Sequence, residues 1–148
     1  MKISTKGRYG LRILLDLATH PSDTPRMIHA IADEQGISPK YISRLIIALR
    51  KAGMVQSVRG AGGGYKLACD PRAITLLQIV EVMEGPIGLV DCVHAPKRCR
   101  RMQHCAARRI WSLLTEQIRE RMAAVTLQML LDAQETCAAD GPADDVCI

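Results

Sequence analysis

The sequence predicts a mainly α-helical fold with one small β-hairpin. Its 148 residues are 48% apolar but only 3% aromatic, with no phenylalanine, so the core must consist of aliphatic side chains. Such a composition favours helices packed on helices. The exception is a glycine-rich stretch at residues 60–64, which separates two short apolar segments and is typical of a hairpin tip.

The net charge of +5 is concentrated in two basic blocks. Residues 35–69 contain six basic side chains and no acid, and residues 92–115 contain six more and no acid. The tail from residue 132 onward has five acids and no base. Basic blocks of this kind are either solvated surface or a binding face for a polyanion such as nucleic acid.

Composition also restricts the compartment and the class of protein. No run of about 18 apolar residues is present, and the basic N-terminus lacks the apolar stretch of a signal peptide, so we expect a cytoplasmic protein. In that compartment, six cysteines indicate metal binding or redox chemistry rather than a disulfide framework. An enzyme is the least favoured class, because no paired nucleophile and base and no cofactor fingerprint occur.

Two helices are predicted at the start of the chain. Ser4 is a suitable cap for a first helix that runs to about His20. Its apolar face repeats at helical spacing and consists of Leu11, Leu14, Leu15 and Ala18. A second helix covers residues 27–35 and turns three apolar side chains inward, Ile28, Ile31 and Ala32.

A helix-turn-helix is predicted around Gly36, Ser38 and Pro39. Glycine can close one helix, serine can cap the next, and proline fits its first turn. The third helix, residues 39–52, buries Ile42, Leu45, Ile46 and Leu49. Its opposite face carries Lys40, Ser43, Arg44, Ile47 and Lys51, which either form an ordinary wet surface or enter a DNA major groove.

The glycine-rich hairpin is interpreted as a wing. Strands are predicted at residues 54–58 and 65–68, and Arg59 stands at the base of the tip, where it could enter a minor groove. A phosphate-binding loop is the competing interpretation. It is disfavoured because no Gly-Lys-Ser/Thr closes the loop and no helix follows it.

The second half of the chain is predicted to contain two helices joined by a cysteine-containing loop. Thr75 caps a fourth helix whose core residues are Leu76, Leu77, Ile79, Val80 and Met83. Residues 106–131 have one continuous helical pattern, long enough to need a partner helix from a second subunit. The proposed dimerisation stripe is Ile110, Leu114, Ile118, Met122 and Val125.

Four regions follow from these patterns. Residues 1–84 are predicted to form a DNA-binding domain, 85–105 a cysteine-containing loop, 106–131 a dimerisation helix and 132–148 an acidic, disordered tail. The loop contains Cys92, Cys99 and Cys105 among six cations, a composition that suits an iron–sulfur cluster, a zinc site or a thiol–disulfide switch. The other cysteines, Cys69, Cys137 and Cys147, are expected to be bystanders.

The sequence resembles the bacterial Rrf-type winged-helix transcriptional regulators, which include sensors of iron–sulfur status, nitric oxide and iron. The resemblance covers residues 1–131. It rests on STKGRY at residues 4–9, GISPKY at 36–41, LRKAG at 49–53, RGAGGGY at 59–65 and the three cysteines. It implies a homodimeric repressor that binds a palindromic operator. By position, it implies DNA contact by Lys40, Tyr41, Ser43, Arg44, Arg59 and Gly60.

The resemblance also implies an iron–sulfur cluster, 2Fe–2S or 4Fe–4S, held by Cys92, Cys99 and Cys105. The fourth ligand departs from the family pattern, because Arg108 and Arg8 stand where relatives have a histidine or an acidic ligand. Arginine stays protonated and cannot serve, which leaves His94, His104, Cys69, water or a small thiol. Ser43 also replaces a glutamate of the iron–sulfur regulators, so a different operator sequence is expected.

The alternative to a cluster-dependent switch is a cluster-free winged-helix regulator. Thiol oxidation, zinc or a docked protein partner would then control DNA binding. Such docking is known for a related regulator of cysteine metabolism, which binds an enzyme.

Overall fold

The computed structural model of the chain describes residues 2–20, 24–60, 62–94 and 104–139. These ranges contain α-helices and one two-stranded antiparallel sheet, which confirms the predicted mainly helical fold with a hairpin. The elements are α1 (Thr5–Thr19), α2 (Ile28–Gln35), α3 (Pro39–Lys51), β1 (Val55–Val58), β2 (Gly64–Leu67), a 3-10 turn (Pro71–Ala73), α4 (Leu76–Glu84), α5 (Asp91–His94), α6 (Ala106–Ala124) and α7 (Leu127–Ala139).

The helix-turn-helix forms at the predicted turn, although Ser38, at the N-cap position of α3, makes no side-chain capping hydrogen bond. Gly36 ends α2 in the left-handed conformation, with φ of 63°, and the following backbone N–H of Ile37 donates to the Ala32 carbonyl at 3.0 Å. Pro39 occupies the first turn of α3. The predicted inward face of α3 is confirmed, because all four of its apolar side chains are buried: Ile42, Leu45, Ile46 and Leu49.

The buried face of α1 is rotated about the helix axis relative to the predicted one, and of the four predicted residues only Leu14 is fully buried. Ile13, Leu14 and Leu17 are its buried apolar residues, whereas Leu11, Leu15 and Ala18 are only half-buried at the edge of the core. The reason is a second packing surface, because α4 lies close against the glycines of α1. A Cβ atom at Gly10 would come within 2.7 Å of Met83 Cγ.

The hairpin pairs Val55 with Leu67 and Val58 with Gly64. A single β-bridge, which the sequence pattern did not reveal, joins it to the segment before α2: Arg26 and Tyr65 exchange two backbone hydrogen bonds, both 2.8 Å long. Gly64 makes this approach possible, because a Cβ atom there would overlap the Arg26 carbonyl. The segment before α2 is therefore joined to the wing.

The prediction of one continuous helix over residues 106–131 is wrong. Helix α6 ends at Ala124, and Val125 is extended. The Val125 carbonyl accepts from Leu76 N–H, and Leu127 N–H donates to the Ile74 carbonyl, each at 2.8 Å. These bonds to a distant segment break the helix where local propensity would continue it.

Helix α7 returns to the first domain, which also corrects the predicted disordered tail. Leu127 is fully buried in the main core and Leu131 is nearly so. Residues 132–139 are helical, and residues 140–148 lie outside the described ranges. We call α1–α4, the hairpin and α7 the head, and residues 85–124 the arm. No helix in the described ranges has the length and apolarity needed to span a membrane.

Candidate nucleic-acid interface and cysteine segment

The outward face of α3 is exposed and free of acids. Lys40, Arg44 and Lys51 are exposed, Ser43 is half-buried, and Ile47 is an exposed apolar residue among them. The buried opposite face fixes the orientation of this helix in the head. The cations can therefore meet a polyanion without any rearrangement of the core.

Tyr41 differs from the other predicted contact residues of α3. It is half-buried, and its ring packs edge-to-face on Tyr9 with 6.0 Å between ring centroids. The Arg12 guanidinium lies 5.6 Å from the centre of the Tyr9 ring. Tyr41 thus contributes to the packing of α3 on α1, and its contact with DNA stays a prediction.

The wing tip has the backbone conformation that its glycines permit. Gly60 has φ of 112°, where a side chain would be strained, and its carbonyl accepts from Gly63 N–H at 2.9 Å. A Cβ atom at Gly63 would overlap the Val58 carbonyl. Arg59 is exposed beside this turn. The tip can thus bring backbone and one guanidinium close to a neighbouring surface.

A charged cluster behind the wing was missed by the sequence analysis. Arg26 donates from Nε to Asp16 Oδ1 at 3.0 Å and from Nη2 to Asp16 Oδ2 at 3.2 Å, and it also pairs with Glu34. The hydrogen bond to Asp16 is the largest influence that raises the pKa of Arg26. The available signal was the acid itself, because Asp16 stands between Leu15 and Leu17 on the buried side of α1.

A second carboxylate caps the start of α1. Glu84 Oε1 accepts from Ser4 Oγ at 2.6 Å, from Ser4 N–H at 3.1 Å and from Gly7 N–H at 2.9 Å. The Ser4 hydroxyl bond is the main cause that lowers the pKa of Glu84, with the backbone bonds and Lys6 acting in the same direction. This contact ties the last turn of α4 to the N-terminus of the head.

Two of the three predicted cluster ligands lie in described residues. Cys92 is in α5 and Cys105 is the N-cap of α6, and both are half-buried free cysteines. Cys99 lies outside the described ranges. Arg108, which stands at the family's histidine position, donates from Nε to the Cys92 carbonyl at 3.2 Å and so connects α5 with α6.

The donor set in the described ranges is incomplete as it stands. Within residues 2–20, 24–60, 62–94 and 104–139, no three His, Cys, Asp or Glu side chains gather in a metal-binding group. Cys92 and Cys105 are two of the three predicted ligands, and the third, Cys99, lies outside these ranges. Cys69 and Cys137 are exposed free cysteines elsewhere in the chain.

The arm is joined to the head by an ion pair and a small apolar cluster. Arg119 of α6 forms the ion pair with Glu81 of α4. Within the arm itself, Thr115 is buried and its hydroxyl accepts from Leu89 N–H at 3.3 Å. Val80, Ile87 and Met122 form the cluster. A displacement of α6 would therefore change these contacts with α4 directly.

The predicted dimerisation stripe divides into two parts. Ile118 and Met122 pack within the chain on the cluster beside α4, and Val125 lies at the break after α6. In contrast, the first turns of α6 carry large apolar side chains that are 37–57% exposed: Ile110, Trp111, Leu113 and Leu114. We call these four residues the α6 face.

Known proteins of one family match this chain along nearly its whole length. The profile of the Rrf2 family, described as iron-dependent transcriptional regulators, matches residues 3–133. The transcriptional regulator CymR of Bacillus subtilis is 39% identical over 130 residues, which cover 88% of this chain and 89% of CymR.

Solved structures agree with this assignment. The structure of B. subtilis CymR, described as the global cysteine regulator, superposes with a TM-score of 0.77 at 38% identity, covering 90% of this chain and 98% of that one. T. potens IscR superposes with a TM-score of 0.75 at 35% identity, covering 98% and 94%. The relatives are transcriptional regulators and not enzymes. This chain therefore belongs to the Rrf2 family of DNA-binding transcriptional regulators.

Proposed function

We propose that this regulator is a homodimeric repressor whose binding to a palindromic operator is controlled by an iron–sulfur cluster at Cys92, Cys99 and Cys105. The observation that carries the proposal is the arrangement of α6. Its N-cap is a predicted cluster ligand, its first turns expose the α6 face, and its last turns pack on the head. One helix thus connects the cysteines, the partner subunit and the DNA-binding domain.

The DNA contacts are assigned to α3 and the wing. The exposed cations Lys40 and Arg44, with Ser43 between them, suit the bases and phosphates of a major groove. Tyr41 would approach the same groove from the edge of the core. Arg59 and Gly60 would approach the adjacent minor groove, where a narrow cleft concentrates negative potential.

Dimerisation is assigned to the α6 face. Four large apolar side chains exposed on consecutive turns form a patch that a monomer would leave in water. A two-fold axis would bring the same patch of a second copy against it, because an isologous interface is self-complementary. Ile110 and Leu114 would lie in this interface, whereas Ile118, Met122 and Val125 would support it from within the chain.

The cysteines are assigned to cluster binding because of their chemistry and their place. Their thiolates are the ligands of iron–sulfur clusters, and a bound cluster would supply a centre that reacts with oxidants and nitric oxide. The protein's own part is to hold the thiols at the junction of α5 and α6. Arg108 connects α5 with α6 through the Cys92 carbonyl, and the cations that neighbour the cysteines in the sequence would offset the negative charge of a bound cluster.

The test of cofactor identity is an absorption spectrum and a native mass spectrum of anaerobically purified protein. We expect charge-transfer bands between about 320 and 460 nm and a mass increment of one cluster per subunit. Cys92→Ser, Cys99→Ser and Cys105→Ser should each remove the bands, whereas the matched control Cys137→Ser should keep them. A colourless dimer without iron, even after anaerobic reconstitution, would exclude the cluster.

A cluster-free regulator controlled by thiol oxidation is the second candidate. The observation in its favour is the similarity to CymR, whose solved structure is described as a global cysteine regulator. Cys92 and Cys105 are free and partly accessible, as an oxidation-sensitive pair would be. The same spectra separate the candidates, because a thiol switch gives a colourless protein. An added oxidant such as a small disulfide would take two protons and two electrons from it for each disulfide formed, so its mass would fall by two hydrogen atoms.

A further inference from the structure

We propose that Arg26 is a positioning residue that fixes the orientation of the wing relative to α3 and thereby affects the affinity of this regulator for DNA. The inference rests on the proposed contact of Arg59 and Gly60 with DNA, and Arg26 is outside that set of contact residues. Its basis is the combination of a side chain fixed on two helices and a backbone fixed on the wing.

The side chain of Arg26 is held in one orientation. Only 16% of it is exposed, and the Asp16 side chain that it meets is fully buried. Both Asp16 oxygens accept from Arg26, and Asp16 Oδ2 also accepts from Gln35 Nε2 at 3.3 Å. A buried carboxylate needs its full set of donors, so the guanidinium cannot leave without a large penalty.

The same residue joins the helices of the DNA-binding unit. Asp16 belongs to α1, whereas Glu34 and Gln35 belong to the last turn of α2. Helix α2 continues through the Gly36 turn into α3. The Arg26 guanidinium therefore lies at a fixed place relative to the helix that is proposed to enter the major groove.

The backbone of Arg26 holds the wing. Its N–H and carbonyl both bond to Tyr65, and in the described part of the chain this pair is the only backbone link from β2 to a segment outside the hairpin. The two segments are so close at Gly64 that a side chain there would overlap the Arg26 carbonyl. The orientation of β2, and with it the tip that bears Arg59, thus depends on where Arg26 is held, in addition to the packing of Tyr65 and Leu67 at the edge of the core.

Without the Arg26 side chain, the backbone segment that bonds to Tyr65 would lose its contacts with Asp16 and Glu34. The wing could then shift relative to α3 while the helical core stays folded, because the strands of the hairpin contribute only Val55 to the buried core, with Tyr65 and Leu67 at its edge. Affinity for DNA would fall through misplacement of Arg59. A merely structural arginine would instead lower the melting temperature and leave the affinity of the folded dimer unchanged.

The experiment measures the affinity of Arg26→Gln for a DNA duplex selected from a random pool by the wild-type protein. We expect affinity about tenfold lower, the size of one lost arginine contact to DNA. Arg26→Lys should lie between the two, because an ammonium group cannot reproduce the two-pronged contact with Asp16. The matched control is Arg12→Gln, which removes the same charge and a contact to Gln35 but leaves Arg26 in place.

The decisive comparison repeats Arg26→Gln in an Arg59→Ala background. If Arg26 acts through the wing, its substitution should cost little further affinity once Arg59 is gone. Independent losses that multiply, or an Arg26→Gln affinity equal to that of Arg12→Gln, would overturn the proposal. Should Arg26→Gln fail to fold, Asp16→Asn combined with Arg26→Gln removes the buried charge and carries the same comparison. A wild-type protein that selects no duplex would instead contradict the proposed function.

Discussion

The head and the arm are stabilised in different ways. Sixteen buried apolar residues from α1–α4, the hairpin and α7 form one continuous core in the head. Helix α6 of the arm, although it is 19 residues long, buries only Thr115 and Met122. Its first turns instead expose the α6 face. The head therefore has a continuous core within one chain, whereas the arm leaves the α6 face exposed in the single chain.

The largest expected effect tests the assignment of α7 to the head. Leu127→Ala should lower the free energy of unfolding by about 3 kcal/mol, because it leaves a cavity in the main core. The control Met129→Ala, on the exposed side of α7, should cost no more than about 0.5 kcal/mol. Denaturant unfolding of both variants measures the difference. Equal small losses would mean that α7 does not belong to the core.

The next effect concerns the arm. Ile110→Glu should weaken the dimer by about 2 kcal/mol or more, because it places a charge at the centre of an apolar interface. It should not weaken α6 itself, since an acid near a helix N-terminus is favourable. Sedimentation velocity at micromolar concentration should show monomers. Met129→Glu, an equally exposed apolar position on α7, should remain dimeric; identical sedimentation of the two variants would contradict the assigned interface.

The third prediction concerns the wing. Arg59→Ala should lower affinity for the selected duplex by about 1–3 kcal/mol and reduce the salt dependence of binding by about one ion. Arg72→Ala removes an equally exposed guanidinium from the 3-10 turn and should leave both quantities unchanged. Fluorescence anisotropy across a salt series measures both, and a similar loss in the two variants would point to net charge rather than to a groove contact.

The smallest effect lies at the N-terminus of the head. The pKa of Glu84 is lowered below its ordinary value, so its charge stabilises the folded state at neutral pH and loses that contribution as pH falls through the lowered pKa. Glu84→Gln should therefore melt slightly earlier than wild type at pH 7. The difference should shrink in acid, and calorimetry from pH 7 to about pH 3 measures it. A constant difference would mean that charge plays no part.

Local patterns predicted most of the head and its exposed cations. Gly36, Ser38 and Pro39 define the turn, and the spacing of Ile42, Leu45, Ile46 and Leu49 fixes which face of α3 is buried. These features depend on residues within one or two turns of each other. They can therefore be predicted from the local sequence without knowledge of the rest of the chain.

The features that were missed depend on contacts between distant residues. The break at Val125 is imposed by hydrogen bonds to Ile74 and Leu76, about fifty residues earlier. The β-bridge between Arg26 and Tyr65 forms because Gly64 has no side chain to block the approach of the Arg26 carbonyl. Ile118 and Met122 satisfy a pattern that either a partner helix or the chain's own α4 could bury, and periodicity alone does not distinguish these two neighbours.

The most direct test of the central claim is the DNA affinity of the anaerobic protein before and after iron is removed with a chelator. We predict a clear change in affinity for the selected duplex that anaerobic reconstitution reverses. Cys99→Ser should bind with the affinity of the iron-free protein throughout, and Cys137→Ser should behave as wild type. Equal affinity of the iron-loaded and iron-free forms would contradict control of DNA binding by a cluster.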